Sequence, residues 1–288
     1  MRKVFFTLAA LVTGAVSVWA QCPTPATATA TVTLKRKIAG ALEGNFTVDG
    51  SGTKVTFSKG NLQYNSDTQA WQFATNQWDY VGGADGVGNR NVTAAGIANN
   101  SGIVDLFGWV GTSSNWDDLR KYGITSSTAT NATDGYGTGA SEALKSDWGT
   151  LMGTGWFTLS KDQWSYLFNS RTVNGGTGNG KSYTLGQSVN GVLGVVLYPD
   201  DYTGSAYTTG STWSTFEEAG CVFLPAAGNR NGTSVSNAGS NGYYWSSSPY
   251  PSNVNDVYRV YFVSGSVNPA GNGYRSHGRS VRLVRLAE

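Results

Sequence analysis

The sequence predicts an α+β domain that is rich in strands and loops and carries two helices. Composition is the first observation behind this. The 288 residues include 39 Gly, 10 Trp, 15 Tyr and 11 Phe, and only 13% are charged. Globular chains average ~25% charged residues and ~7% Gly. A long coiled coil or helical bundle needs more Ala, Glu, Lys and Leu, and a disordered tail needs charge and few aromatics. The second observation is a series of short apolar runs with period-2 alternation, separated by Gly, Asn and Ser turns. The third is that two segments alone show helical spacing.

The first twenty residues read as a secretory signal. Arg2 and Lys3 form a charged start, Phe5 to Val16 an apolar run, and Val18-Trp19-Ala20 a small-residue cleavage site. The run is too short for a membrane span. Gln21 ahead of Cys22 argues against lipidation. The expected setting is extracellular, on the outer cell surface, or periplasmic. Losing Arg2 and Lys3 lowers Lys+Arg from 20 to 18, equal to the 18 acids. A net charge of zero argues against a nucleic-acid partner, and no further membrane span follows.

Residues 21–45, with Pro23, Pro25 and a Thr/Ala alternation, read as a linker or attachment tail. The domain is expected over 46–288. Lys54–Gly60 and Asn61–Tyr64 alternate like strands, and Trp71, Phe73, Trp78 and Tyr80 suggest more strands or an aromatic cluster. Residues 82–102 read as turns. Ala143, Leu144, Trp148 and Leu151 suggest a helix over Ser141–Leu151. A stronger helix is expected over Ser160–Ser170, where Ser160 and Gln163 form a capping box and Trp164, Leu167 and Phe168 one apolar face. Gly191–Leu197 reads as a buried strand. Val222–Leu224, Tyr243–Ser246, Val257–Val263 and Ser280–Leu286 read as further strands.

Several motifs have an ordinary reading. Gly175–Ser182 matches the P-loop expression, but a helix precedes it and a strand-like run follows, the reverse of what phosphate binding needs. His277, the only histidine, lies in a polar loop. Asp117-Asp118, Asp200-Asp201 and Glu217-Glu218 are adjacent acids. Neighbours on a strand point to opposite faces, so these pairs read as turn or surface residues, with calcium ligation by Asp200 or Asp201 as a lesser reading. Cys22 and Cys221 could pair in an exported protein. The apolar stretch around Cys221 favours a plain buried thiol.

Residues 229–279 are the most informative. They hold 8 Asn, 10 Ser, 6 Tyr and 7 Gly and no Lys, Glu, Gln or Met. Antibody binding loops favour the same residue types, because Tyr gives rigid contact area and Ser, Gly and Asn give adaptable hydrogen bonds. Candidate ligand-binding residues are Asn229, Asn231, Ser236, Asn241, Tyr250, Arg259, Tyr261, Val263, Ser266, Asn268, Ala270, Asn272, Tyr274, Ser276 and His277. Tyr250, Tyr261 and Tyr274 are the candidate anchors. Alternation puts Val260 and Phe262 in the core and Arg259, Tyr261 and Val263 outside. Trp71, Trp78, Trp148, Trp164 and Trp245 are assigned to the scaffold.

Gly155–Leu167 resembles the "R-L-P-T-E-A-E-W-E-Y" helix entry of the C-type-lectin-like domains related to formylglycine-generating enzyme. Val222–Arg230, Gly242–Ser247 and Gly278–Arg285 resemble gut Bacteroidales secreted proteins of that fold, and Val55–Tyr64 resembles their N-terminal part. The resemblance covers 46–286 and implies a C-type-lectin-like fold that displays a variable binding face. Many such proteins are targets of diversity-generating retroelements. Error-prone copying of template adenines turns Asn codons into many others, never into Lys, Glu, Gln, Met or Trp codons. The missing Lys, Glu, Gln and Met fit that mechanism. Formylglycine-generating enzymes use a Cys pair in the C-terminal part, and no Cys follows Cys221 here. The Glu-Pro-Asn and Gln-Pro-Asp calcium signatures of sugar-binding lectins are absent.

The resulting expectation is an exported, non-enzymatic binder of a protein or glycan ligand, without cofactor or metal. The alternatives are a surface adhesin or pilus-tip subunit attached through 21–45, and a glycan hydrolase using acids such as Asp117 or Asp201.

Overall fold

Phe46 and Val55 pair across an antiparallel hairpin made of β1 (Phe46–Thr47) and β2 (Lys54–Phe57). The Asp49 carboxylate closes its turn by accepting the Ser51 and Thr53 amides at 2.9 and 3.0 Å, an Asx turn. The computed structural model describes residues 39–65, 67–81, 102–112, 136–137, 139–231 and 234–288. The expected signal segment 1–20, most of the tail, nearly all of the 82–102 turns and the Asp117-Asp118 pair lie outside them.

The end of the expected tail belongs to the fold. Ala41 bridges to Ser58, and the Leu42 amide donates to the Phe57 carbonyl at 2.8 Å. The last strand closes this sheet from the other side. β15 (Leu283–Leu286) pairs antiparallel with both β2 and β6 (Trp156–Thr158). A second sheet holds β3 (Leu62–Asn65) between β4 (Ala70–Phe73) and β5 (Ile103–Val104). A third runs β7 (Tyr183–Val189), β8 (Val192–Leu197) and β9 (Val222–Pro225). Its β7–β8 turn is Asn190-Gly191, both at positive φ (50° and 82°), the chemistry that suits a two-residue hairpin. β10 (Asn229–Asn231) and β11 (Ser234–Ser236) form a small hairpin. β12 (Gly242–Pro249), β13 (Asp256–Val263) and β14 (Ser266–Tyr274) form the fifth sheet.

The expected capping-box helix is present as α1 (Lys161–Asn169). Ser160 Oγ accepts the Gln163 amide at 3.2 Å, and Gln163 Oε1 accepts the Ser160 amide at 2.8 Å. Trp164, Leu167 and Phe168 turn inward to a core shared with Phe46, Phe57, Tyr244, Val260 and Phe262. Of the five Trp assigned to the scaffold, Trp148, Trp164 and Trp245 are fully buried, and Trp71 and Trp78 are half-buried.

The C-type-lectin-like α+β expectation is not what the structure shows. Among the described residues 40% lie in strands and 10% in helices, in five small antiparallel sheets with two short α-helices. The helix expected over Ser141–Leu151 is reduced to a 3-10 turn, Trp148–Met152. Two contacts hold it there. Asp147 accepts the Gly149 amide at 2.8 Å while also accepting the Thr158 amide and hydroxyl, both at 3.0 Å. Gly149 lies against the Trp156 carbonyl, where a Cβ would collide. The second helix is instead α2 (Trp213–Glu218), with Trp213 and Phe216 stacked 6.4 Å apart. β14 lies between the expected strands, in a stretch rich in Asn, Gly and Pro, which are depleted in strands. Pairing with β13 along its whole length overrides that preference.

Candidate functional site

Directly paired residues of antiparallel strands share a face. In the β12–β14 sheet, Tyr244 pairs with Val260 and Gly242 with Phe262. This inner face meets α1, and Val267 of β14 packs there as well. The Gly242–Phe262 pair needs glycine, because a Cβ at 242 would enter the Phe262 ring. On the outer face Tyr243 pairs with Tyr261 and Trp245 with Arg259. β14 contributes Asn268 opposite Tyr261 and Gly271 opposite Arg259, with a bulge between them.

The outer face is organised by aromatic rings and guanidinium groups. Tyr243 and Tyr261 have ring centroids 5.0 Å apart. The Asn241 amide nitrogen donates to both of their hydroxyls at 3.2 Å. The Arg259 guanidinium stands 5.0 Å from each of these ring centroids. The Arg279 guanidinium lies 4.3 Å from the Trp245 ring and 5.8 Å from that of Tyr243. Each contact is a cation–π interaction. Residues 278–280 run beside β12, with the Trp245 amide donating to the Ser280 carbonyl at 3.0 Å. Arg279 and Phe107 also exchange backbone hydrogen bonds at 2.9 and 3.0 Å, which fixes where the guanidinium emerges.

The charges here are strongly perturbed. Burial pushes Arg279 well below its usual range, and Arg259 beside it adds to that. Burial likewise lowers Arg259. His277 is pushed down to about 4, first by burial and then by the positive charges of Arg279 and Arg259. It is therefore a neutral imidazole at pH 7, half-buried with its ring edge-on to Tyr274 at 5.4 Å. The sequence reading made it an ordinary exposed loop residue, which the burial corrects.

Asn241, Arg259, Tyr261 and Asn268 come together, with Val263 and Ser266 paired at the end of the same face and His277 beside the arginines. Val260 and Phe262 are buried as alternation predicted. The other candidates lie elsewhere. Asn272 pairs with Tyr258 and Tyr274 with Asp256, on the side of the sheet that carries α1. Tyr250 packs edge-on against Tyr258 at 5.0 Å on that same side. Ala270 lies in the bulge, its amide donating to Asn268 Oδ1. Asn229, Asn231 and Ser236 sit on the β10–β11 hairpin, which Arg230 ties to Gly278. Ser276 is buried and presents no surface, so it drops out of the face.

The sequence candidates include neither Tyr243 nor Arg279. One signal was available for Tyr243. Tyr243 and Tyr244 are neighbours on a strand, so one of the two had to face outward. Nothing local marked Arg279, whose position depends on strand pairing with Phe107.

The remaining chemistry reads as structural. Asp200 accepts the Thr47 amide at 3.0 Å and its hydroxyl at 2.7 Å, and pairs with the buried Arg171 at 3.2 Å. These bonds occupy the carboxylate that was a candidate calcium ligand. Asp201 is the one carboxylate lining a depression of about 380 Å³ beside Tyr202 and Phe216, whereas glycoside hydrolysis uses two. The P-loop-like stretch is a turn in which Ser182 Oγ accepts the Gly178 amide at 3.0 Å, and β7 follows it. Cys221 is a buried free thiol pushed up to about 12 by desolvation. No helix among the described residues is long and apolar enough to cross a membrane.

Residues 208–284 match the model of a domain of unknown function (DUF8237). The match runs from just before α2 into β15 and includes the whole β12–β14 sheet and Arg279. No curated protein and no solved structure matches the chain.

Proposed function

We propose that this protein is a non-enzymatic binding protein whose ligand docks on the outer face of the β12–β14 sheet. The observation that carries this reading is the cluster of Tyr243, Arg259 and Tyr261, with Asn241 bridging both tyrosine hydroxyls. Rigid aromatic area beside polar groups is what binding surfaces concentrate, and Tyr and Arg dominate interface hot spots. The surface is preorganised, because the rings are held by hydrogen bonds and the strands beneath them by the α1 core. The apolar run behind Arg2 and Lys3 supports an exported setting, in which the ligand is an extracellular protein or glycan. Screening the protein on glycan and protein arrays, in parallel with Tyr261→Ala, tests this. The variant should lose at least tenfold in affinity for any ligand found, with an unchanged folded signature by circular dichroism. Hits that bind both forms equally would place the ligand elsewhere and overturn the assignment.

A further inference from the structure

Arg259 and Arg279 stand out among the buried arginines. Arg171 pairs with Asp200, and Arg275 pairs with Glu142, both at 3.2 Å. Arg282 donates to Phe223 O at 3.2 Å and to Gln77 Oε1 at 2.9 Å. Nε is buried without a hydrogen-bond partner in all five, but only in Arg259 and Arg279 is Nη1 also buried without one. Neither guanidinium has a carboxylate within salt-bridge distance among the described residues. Arg279 is only 3% exposed. Buried charges in native proteins are normally paired, and two like charges side by side raise the cost further.

Asp256 is the carboxylate that acts on both arginines. Its Oδ2 accepts the Asn253 and Asn272 amides at 3.1 and 2.8 Å. Asp256 lies on the α1 side of the sheet and also acts on Arg275, so it offsets the two guanidinium charges only in part, and His277 is neutral. Gly271 pairs with Arg259 on this face, and an atom at its Cβ position would lie 3.5 Å from Arg259 Nη1, from the Arg259 carbonyl oxygen and from the Asn268 amide nitrogen. The Asn268 oxygen already accepts from Ala270, so that amide nitrogen remains a donor. Gly273 leaves room for Arg279, since a Cβ there would run into the guanidinium.

We propose that Arg259, Arg279 and Asn268 form a site for a carboxylate, one borne by the ligand of the outer face, seated over Gly271. The inference rests on the binding-face reading and narrows it to ligands with a single anionic group there. A planar guanidinium matches a carboxylate through paired N–H donors, which a lysine does not offer.

His277, as the only histidine, is a specific reporter. Its imidazole resonances can be titrated against pH by NMR in sodium glucuronate, and in glucose with sodium chloride at equal ionic strength. Glucuronate should make His277 titrate roughly one pH unit higher, because a bound anion offsets the two arginine charges. Glucose should leave it unchanged. Arg259→Gln should abolish the glucuronate effect, and Gly271→Val should block it while leaving the arginines in place. If sulfate raises the His277 pKa as strongly as glucuronate, the site is a general oxyanion site and the carboxylate assignment is overturned. No response to tens of millimolar glucuronate in the folded protein overturns the anion site itself. A Tyr261-dependent array ligand found alongside that result would leave the binding face standing.

Discussion

The two faces of the β12–β14 sheet share strands, hydrogen bonds and sequence, yet they differ in what they contain. The inner face offers Tyr244, Val260, Phe262 and Val267 to α1, and the Tyr244 hydroxyl there donates to the Pro225 carbonyl at 2.9 Å. The outer face sets rings against guanidinium groups and leaves buried donors without partners. Interiors lower their energy by filling space and pairing every polar group. A surface selected only for stability would do the same. The contrast teaches that the outer face leaves donors unpaired at some cost to the fold, a cost the proposed ligand would offset.

The largest effect should come from breaking the inner face. Phe262→Ala removes a ring that fills the space above Gly242 and should destabilise the protein by about 3–5 kcal/mol, read by urea denaturation. A loss below about 1 kcal/mol would show that the α1 interface is not the core.

A smaller effect belongs to the outer face and depends on pH. The unfolded His277 titrates near 6.5, whereas the folded one titrates at about 4 beside Arg259 and Arg279. Between those values the unfolded state takes up a proton that the folded state refuses. Stability is therefore unaffected above pH 6.5 and falls as pH drops towards 4, by about 1–2 kcal/mol at this half-buried site. Carboxylates titrate in the same window, so the measurement is the difference between wild type and His277→Asn. The variant should lack this part of the slope, and parallel curves would contradict the burial of the imidazole.

The smallest effect sharpens the contrast. Ser266→Ala, at the exposed end of the outer face, should change stability by less than about 0.5 kcal/mol. A shift above 1 kcal/mol would mean that this face also carries packing.

Where a residue's role was set by its near neighbours, the sequence showed it. Ser160 and Gln163 announced α1, and their reciprocal bonds are present. Alternation put Val260 and Phe262 in the core, where they are buried, but Arg259, Tyr261 and Val263 are only part-exposed and Val257, in phase with them, is buried. Roles set by distant partners were not visible. The Ser141–Leu151 spacing looked helical, but Asp147 is committed to Thr158 and Gly149 to Trp156. The Asn- and Gly-rich stretch 266–274 lay between the expected strands, but β13 pairs with it. The same composition suggested one continuous binding surface over 229–279. Register divides it instead, sending Arg259, Tyr261 and Asn268 to one side and Asn272 and Tyr274 to the other.

By itself, the sequence determined a strand-rich, charge-poor chain, a capped helix, the inward set of aromatics and a C-terminal third rich in Asn, Ser, Gly and Tyr. These follow from local preferences and from periodicities of two and 3.6 residues, which need no knowledge of distant partners. Only the tertiary structure decided that the described residues form five small antiparallel sheets, that Arg279 lies on Trp245 beside Arg259, and that Tyr243 and Tyr244 lie on opposite faces of one sheet. Each depends on pairing between residues far apart in the chain. Neither the register of such pairing nor the burial of a charge is written in any short stretch of residues.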